Sequence, residues 1–183
     1  MSTRRRKPGP APASGDAPDF IESLGPAFLA HLLRRVSDEL VEADRQWHAE
    51  AGIANPPRTT STLLALDAKG PLAVTELATL LRQSHQLVMQ WIRALEAEGL
   101  VETRRDPGDG RRSIVALTKA GRDQLPALRH TIQVVAIATQ ALIDRTAPGL
   151  WQGLWNIERA LRRAPFVDQI RLADREAKGS HGA

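Results

Sequence analysis

The sequence predicts a mainly α-helical fold that carries one small β-hairpin. Three features predict it: apolar residues recur every three or four positions over most of the chain, Ser, Thr, Gly and Pro punctuate those stretches at helix boundaries, and one stretch alternates apolar and polar residues around a tight turn. The 183 residues are 42% hydrophobic and 25% charged, the profile of a chain with one core of ordinary size. No apolar run approaches the roughly 20 residues of a membrane span, and the arginine-rich opening is followed by Pro8-Gly9-Pro10 rather than an apolar signal core, so a membrane location is not expected. The chain has no cysteine, which excludes disulfides, thiolate metal ligands and thiol nucleophiles and fits a cytoplasmic location. The net charge of +4 equals Arg4, Arg5, Arg6 and Lys7 alone, so the rest of the chain is close to neutral.

Residues 1–22 are rich in Pro, Ala, Gly, Ser and Arg with little to bury, and read as a disordered basic arm able to touch phosphates. From Gly25-Pro26, the residues Phe28, Leu32, Val36, Leu40, Ala43 and Trp47 trace a helix of about 22 residues that Gly52 stops. Asn55-Pro56-Pro57 opens a second helix with Leu63, Leu64 and Leu66, closed by Gly70-Pro71. A short third helix starts at Val74-Thr75, with Thr75 as its cap and Leu77, Ala78, Leu80 and Leu81 as a buried stripe. Ser84 caps a fourth, whose inner face is Leu87, Val88, Trp91, Ile92 and Leu95 and whose outer face is His85, Gln86, Met89, Gln90 and Arg93.

Gly99 ends that helix. Two alternating runs, Leu100 to Arg104 and Ser113 to Leu117, then flank Asp106-Pro107-Gly108-Asp109-Gly110 as a hairpin with a charged tip. Thr118 caps a long helix in which Leu125, Leu128, Ile132, Val135 and Leu142 lie near heptad spacing, the seam of a helix that packs along another; Pro126 is expected to kink it. Pro148 begins a last helix with Leu150, Leu154, Ile157 and Leu161 on one side. The tail from about residue 165 to 183 turns polar and is expected to fray.

Short helix, tight turn, helix and hairpin over residues 74–117 form the layout of a winged helix-turn-helix, whose second helix enters the major groove of DNA. The residue chemistry suits that role. Gln86 and Gln90 can pair with an adenine edge beside His85, and first-turn amides at Thr75 and Ser84 can donate to phosphate. The hairpin sets Arg104, Arg105, Arg111 and Arg112 against Asp106 and Asp109, and a thin arginine-tipped wing fits the narrow, electronegative minor groove. Asp109 can aim the Arg111 guanidinium by a charge-assisted hydrogen bond. A lone turn arginine is ordinarily just solvated; the hairpin and Asp109 favour the DNA role.

The stretches Leu77-Ala78, Leu95-Glu96 through Gly99-Leu100-Val101, Asp106-Pro107-Gly108-Asp109-Gly110-Arg111-Arg112 and Leu117-Thr118-Lys119-Ala120-Gly121 resemble the MarR family of transcription regulators. The likeness runs from about Leu24 to Leu161, and the wing string is its specific part. The resemblance implies a winged helix-turn-helix over about 58–118 within a body of residues 23–164. It also implies a homodimer through helices at about 25–50, 118–145 and 147–163, and two winged domains on successive major grooves of a pseudo-palindromic operator. It implies that Arg111 reaches the minor groove with Asp109 orienting it and Arg112 beside it, that Ser84, Gln86, Met89 and Gln90 face the major groove, and that a small aromatic ligand relieves DNA binding, as in a repressor. Met89 stands where family members often have a hydroxyl residue, which replaces one polar contact by an apolar one to a thymine methyl.

His31 and Arg35, four apart on the first long helix, are the polar groups expected to hold an aromatic carboxylate; the plain alternative is a solvated helix face. The five histidines are scattered without ligand spacing, so no metal site and no cofactor are expected. The tryptophans at 47, 91, 151 and 155 are expected in the core. No phosphate loop, dinucleotide fingerprint, nucleophile elbow or paired catalytic carboxylate is present, which argues against an enzyme. The rival to DNA binding is a winged-helix module that docks on another protein.

Overall fold

The computed structural model describes residues 19–106, 108 and 113–180. In chain order its elements are α1 (Phe20–Ser23), α2 (Leu29–Glu50), α3 (Thr60–Lys69), β1 (Leu72–Ala73), α4 (Val74–Leu81), α5 (His85–Ala97), β2 (Val101–Arg105), β3 (Ser113–Leu117), α6 (Lys119–Thr146), α7 (Leu150–Arg163) and α8 (Phe166–Ser180). Single 3-10 turns, Gly25–Phe28 and Pro57–Thr59, lead into α2 and α3. This is the mainly α fold with a small β-wing that the residue pattern predicts, a winged helix-turn-helix between longer helices.

The core is built by the winged unit. Leu63 and Leu66 of α3, Leu77 of α4, Val88, Ile92 and Leu95 of α5, Val115 of β3 and Leu125 and Leu128 of α6 form one buried cluster. Each such side chain contributes about 1.5–3 kcal/mol by leaving water, so the relative placement of α3, α4, α5 and the sheet is set by packing. Trp91 packs at the edge of this cluster.

Strand order is β1-β3-β2, all antiparallel, with Leu72 opposite Val115 and Val101 opposite Leu117. The two-residue β1 has no alternating signature and was not expected. Its pairing makes β3 the central strand, and the consecutive residues Ile114, Val115 and Ala116 are all buried instead of alternating. A strand covered on both faces loses the period of two.

A polar network fixes the joint between α2 and the winged unit. His48, buried at the end of α2, has Nδ1 3.0 Å from the Asn55 carbonyl, which can only accept, so Nδ1 carries the proton. Buried Asn55 donates to Thr59 and Thr60 Oγ1 (3.3 and 3.0 Å) and accepts from Gln124 Nε2 of α6 (2.9 Å), while Gln124 Oε1 accepts the Ala54 amide (3.2 Å). Arg129 of α6 also pairs with Asp67 of α3.

Several expectations change. Residues 20–22, assigned to the disordered arm, belong to the helical turn Phe20–Ser23, because Asp19 Oδ1 accepts the Ile21 amide (2.8 Å) and Arg35 holds its other oxygen (2.7 Å); residues 1–18 lie outside the described residues. Helix α6 runs unbroken through Pro126 to Thr146. Gly149, left-handed at φ +84°, starts α7 at Leu150 rather than Pro148. The tail expected to fray is the 15-residue helix α8, whose apolar Phe166, Val167, Ile170 and Leu172 are exposed. Trp151 and Trp155 are not core: they are 59% and 42% exposed and meet edge to face at 5.9 Å on α7. Leu80, placed in the buried stripe of α4, is also exposed. No described helix is long and apolar enough to cross a membrane.

Candidate nucleic-acid interface

The turn between α4 and α5 is three residues long and tightly bonded. The Gln83 amide donates to the Ala78 carbonyl (3.0 Å) and the Arg82 amide to the Thr79 carbonyl (3.3 Å), the paired bonds of a Schellman stop. Arg82 holds the left-handed position at φ +53°, where glycine is usual, at a cost of about 1 kcal/mol. Ser84 follows as the cap predicted for α5, with Oγ accepting the Leu87 amide (3.2 Å). Helix geometry leaves the first-turn amides of His85 and Gln86 without intrahelical acceptors, beside the positive end of the helix dipole.

With Val88, Ile92 and Leu95 locked into the core, the opposite face of α5 is presented outward: His85, Gln86 and Gln90 are exposed and Met89 is half-buried. Thr75 lies on the surface near the start of α4, but it is not the cap. Ala73 holds that place, and Glu76 Oε2 reaches back to accept the Ala73 amide (2.8 Å), a bond to the cap residue itself and not to the first-turn amides that a hydroxyl would take. The Thr75 carbonyl accepts the Thr79 hydroxyl (2.9 Å).

Two threonines that the sequence did not single out for this role fix the wing against α5. Thr103 Oγ1 on β2 donates to Glu96 Oε1 of α5 (2.6 Å). Thr118 caps α6 by accepting the Gly121 amide (3.0 Å) and at the same time donates to the Gly99 carbonyl (2.6 Å), while its own amide donates to the Leu100 carbonyl (3.1 Å). The base of the wing, the end of α5 and the start of α6 therefore move as one piece. Toward the tip, Arg104 stands 3.9 Å from Glu102 in a long, exposed ion pair, and Asp106 Oδ1 accepts the Gly108 amide (2.8 Å). Asp109, Arg111 and Arg112 lie outside the described residues.

Residues 56–112, from the turn before α3 to the tip of the wing, match the MarR family model. Over that segment, about a third of the chain, the sequence is similar to the MarR family. Solved structures agree on the fold. The chain superimposes on the transcriptional repressor CouR bound to a 23-mer DNA duplex with a TM-score of 0.60 and 25% identity, covering 80% of this chain and 99% of that one. For the PcaV regulator of Streptomyces coelicolor in complex with its natural ligand the values are 0.59, 23%, 81% and 98%. For the MepR–DNA complex of S. aureus they are 0.58, 22%, 74% and 97%. No curated protein sequence matches the chain.

Outside the winged helix, the pair expected to hold a ligand separates. Arg35 lines an open groove of about 520 Å³ with Phe28, Leu29 and Leu32, and its guanidinium is engaged by Asp19. That contact first, and the Ile21 amide second, hold the Asp19 carboxyl below its usual range. His31 is exposed on α2 and does not line the groove. No cluster of three or more potential metal ligands occurs among the described residues.

Proposed function

We propose that the protein is a homodimer that binds a pseudo-palindromic operator in sequence-specific fashion, with α5 in the major groove, and that a small aromatic ligand relieves this binding. The observation that supports the reading most is the outward face of α5. A Ser84-capped helix whose inner face is buried in the core presents Ser84, His85, Gln86 and Gln90 at its N-terminal half beside a hairpin wing. Met89, Thr75, Asp109, Arg111 and Arg112 complete the proposed DNA contacts, the last three from the wing tip.

The dimer reading draws on the faces left uncovered. Leu29, Leu32, Leu33, Val36 and Leu40 of α2, Ile137 and Leu142 of α6, and Leu150, Trp151, Ile157 and Leu161 of α7 are each 40% or more exposed. Apolar surface of that extent marks an interaction face, and it lies on the helices outside the winged unit. A second copy on this face would fix the two α5 helices at one spacing. Half-sites about one helical turn, roughly 34 Å, apart would fit it. The Arg35 groove is the proposed ligand site, with His31 near it on α2.

The test is selection of bound duplexes from a random pool, followed by competition titration at two salt concentrations. An enriched inverted repeat supports the reading. Affinity that collapses with salt and shows no enriched sequence would move the activity to the basic arm and favour docking on a protein partner. On the selected operator, Arg111→Ala is expected to weaken binding by about 1–3 kcal/mol while leaving the dimer intact.

A further inference from the structure

The turn that leads into α5 is tied to α7 by an ion pair. Arg82 Nη1 donates to Glu158 Oε1 at 2.9 Å, across 76 residues of sequence. The pair bridges an open cleft that Arg159 and Arg162 of α7 also line, so three guanidiniums stand around one carboxylate. Glu158 Oε2 is buried and accepts no hydrogen bond from the described residues, and Arg162 Nη1 lies 3.8 Å from it. Arg162 is thus placed to take the carboxylate if Arg82 leaves, and the departure of Arg82 strands no charge. Arg82 itself keeps a left-handed backbone at φ +53°, where glycine would carry no strain. Strain retained at one residue points to work done by its side chain.

We infer that Arg82 is a phosphate contact held back by Glu158. In the free chain the carboxylate occupies the guanidinium, and on DNA the guanidinium transfers to a backbone phosphate beside the base edges that α5 reads. The inference rests on the proposed DNA role of α5 and adds to it a contact residue and a built-in brake. Arg82 stands two residues before the Ser84 cap, at the end of α5 where His85 and Gln86 face outward. Arginines beside a reading helix fix its register through phosphates. An exchange of carboxylate for phosphate keeps the guanidinium paired with an anion throughout, and phosphate matches its fork of donors as well as a carboxylate does. The side chains of Arg82 and Glu158 are 55% and 38% exposed, so the bond that must break is partly solvated and weak. Glu158 therefore lowers affinity for DNA without abolishing it.

The test measures affinity for the selected operator over a range of salt concentrations, for the full chain and three variants whose circular dichroism matches the parent's. Arg82→Gln is expected to weaken binding and to reduce the slope of log K against log salt by about 0.9, the share of one phosphate. Glu158→Gln removes the competing charge and is expected to tighten binding about two- to fivefold, the worth of a partly solvated ion pair. In the double variant that gain should vanish, leaving the affinity of Arg82→Gln alone. A general loss of negative charge near DNA would instead raise affinity in both backgrounds. Three results would each overturn the inference: weaker or equal binding by Glu158→Gln, an unchanged salt slope in Arg82→Gln, or a gain that persists in the double variant. A parent chain that enriches no duplex sinks the DNA-binding proposal and this inference with it. A parent that enriches an operator, with any of the three results above, sinks the inference alone.

Discussion

Replacing Gly121 by alanine sets two physical effects against each other, and the sign of the result decides between them. Gly121 lies in the first turn of α6, where intrinsic propensity alone predicts that alanine stabilises the helix by about 1 kcal/mol. A Cβ at that position, however, would stand 2.1 Å from the Leu100 carbonyl oxygen and 3.3 Å from Leu117 Cδ2. The oxygen is backbone, and it already accepts the Thr118 amide at 3.1 Å, so it cannot withdraw without opening the joint between α5, the wing and α6. Relief requires a shift of more than an ångström in an element bound by Thr118 on both sides, an overpacking cost at the upper end of about 1–3 kcal/mol or beyond. Net of the propensity gain, we expect a loss of about 2 kcal/mol, or about 4–8 °C in Tm for a chain of this size. Thermal and urea denaturation at fixed protein concentration measure it, since the proposed dimer would make stability depend on concentration. A Tm equal to or above that of the parent chain would show that the α5–α6 joint is looser than the Leu100 contact requires, and the reasoning would fail.

Further predictions test other parts. Asn55→Ala should cost about 2–3 kcal/mol, read as a lower urea midpoint at unchanged slope, because it strands Gln124 and two threonines in a buried network. Ser84→Ala should lower stability by about 1 kcal/mol through loss of the α5 cap and should also weaken operator binding; equal stability in calorimetry would refute the cap. Asp44, half-buried on α2, has its carboxyl raised above the usual range by desolvation, partly offset by His48. A carboxyl whose folded value exceeds its unfolded one favours the native state when protonated, and that advantage is lost as pH rises through the interval between the two values. Asp44→Asn should therefore raise Tm above that interval, by about 1–2 °C near pH 7, and leave it unchanged below; an equal effect at both pH values would exclude titration as the cause.

Much of the winged unit was legible because local rules determine it. Apolar spacing and the caps Ser84 and Thr118 marked α5 and α6 by contacts within one turn of helix, and Gly52 and Gly70 marked helix ends by their positive φ. The outward face of α5 followed from the same periodicity. The start of α4 falls at Ala73 and not at Thr75, because Glu76, three residues inside, accepts the Ala73 amide, and Val74-Thr75-Glu76 fits either start.

Tertiary structure decided what depends on residues far apart in the chain. Strand β1 exists only because β3 is there to pair with it, and β3 lost its alternation because both of its faces are covered. The Asn55–Gln124 bond and the Arg82–Glu158 pair span 69 and 76 residues, and no periodicity announces either. Apolar stripes alone could not tell Leu128, fully buried within the chain, from Trp155, left on its surface. Helix spacing says only that a side has something to bury; which surface covers it is set by how the helices are folded together.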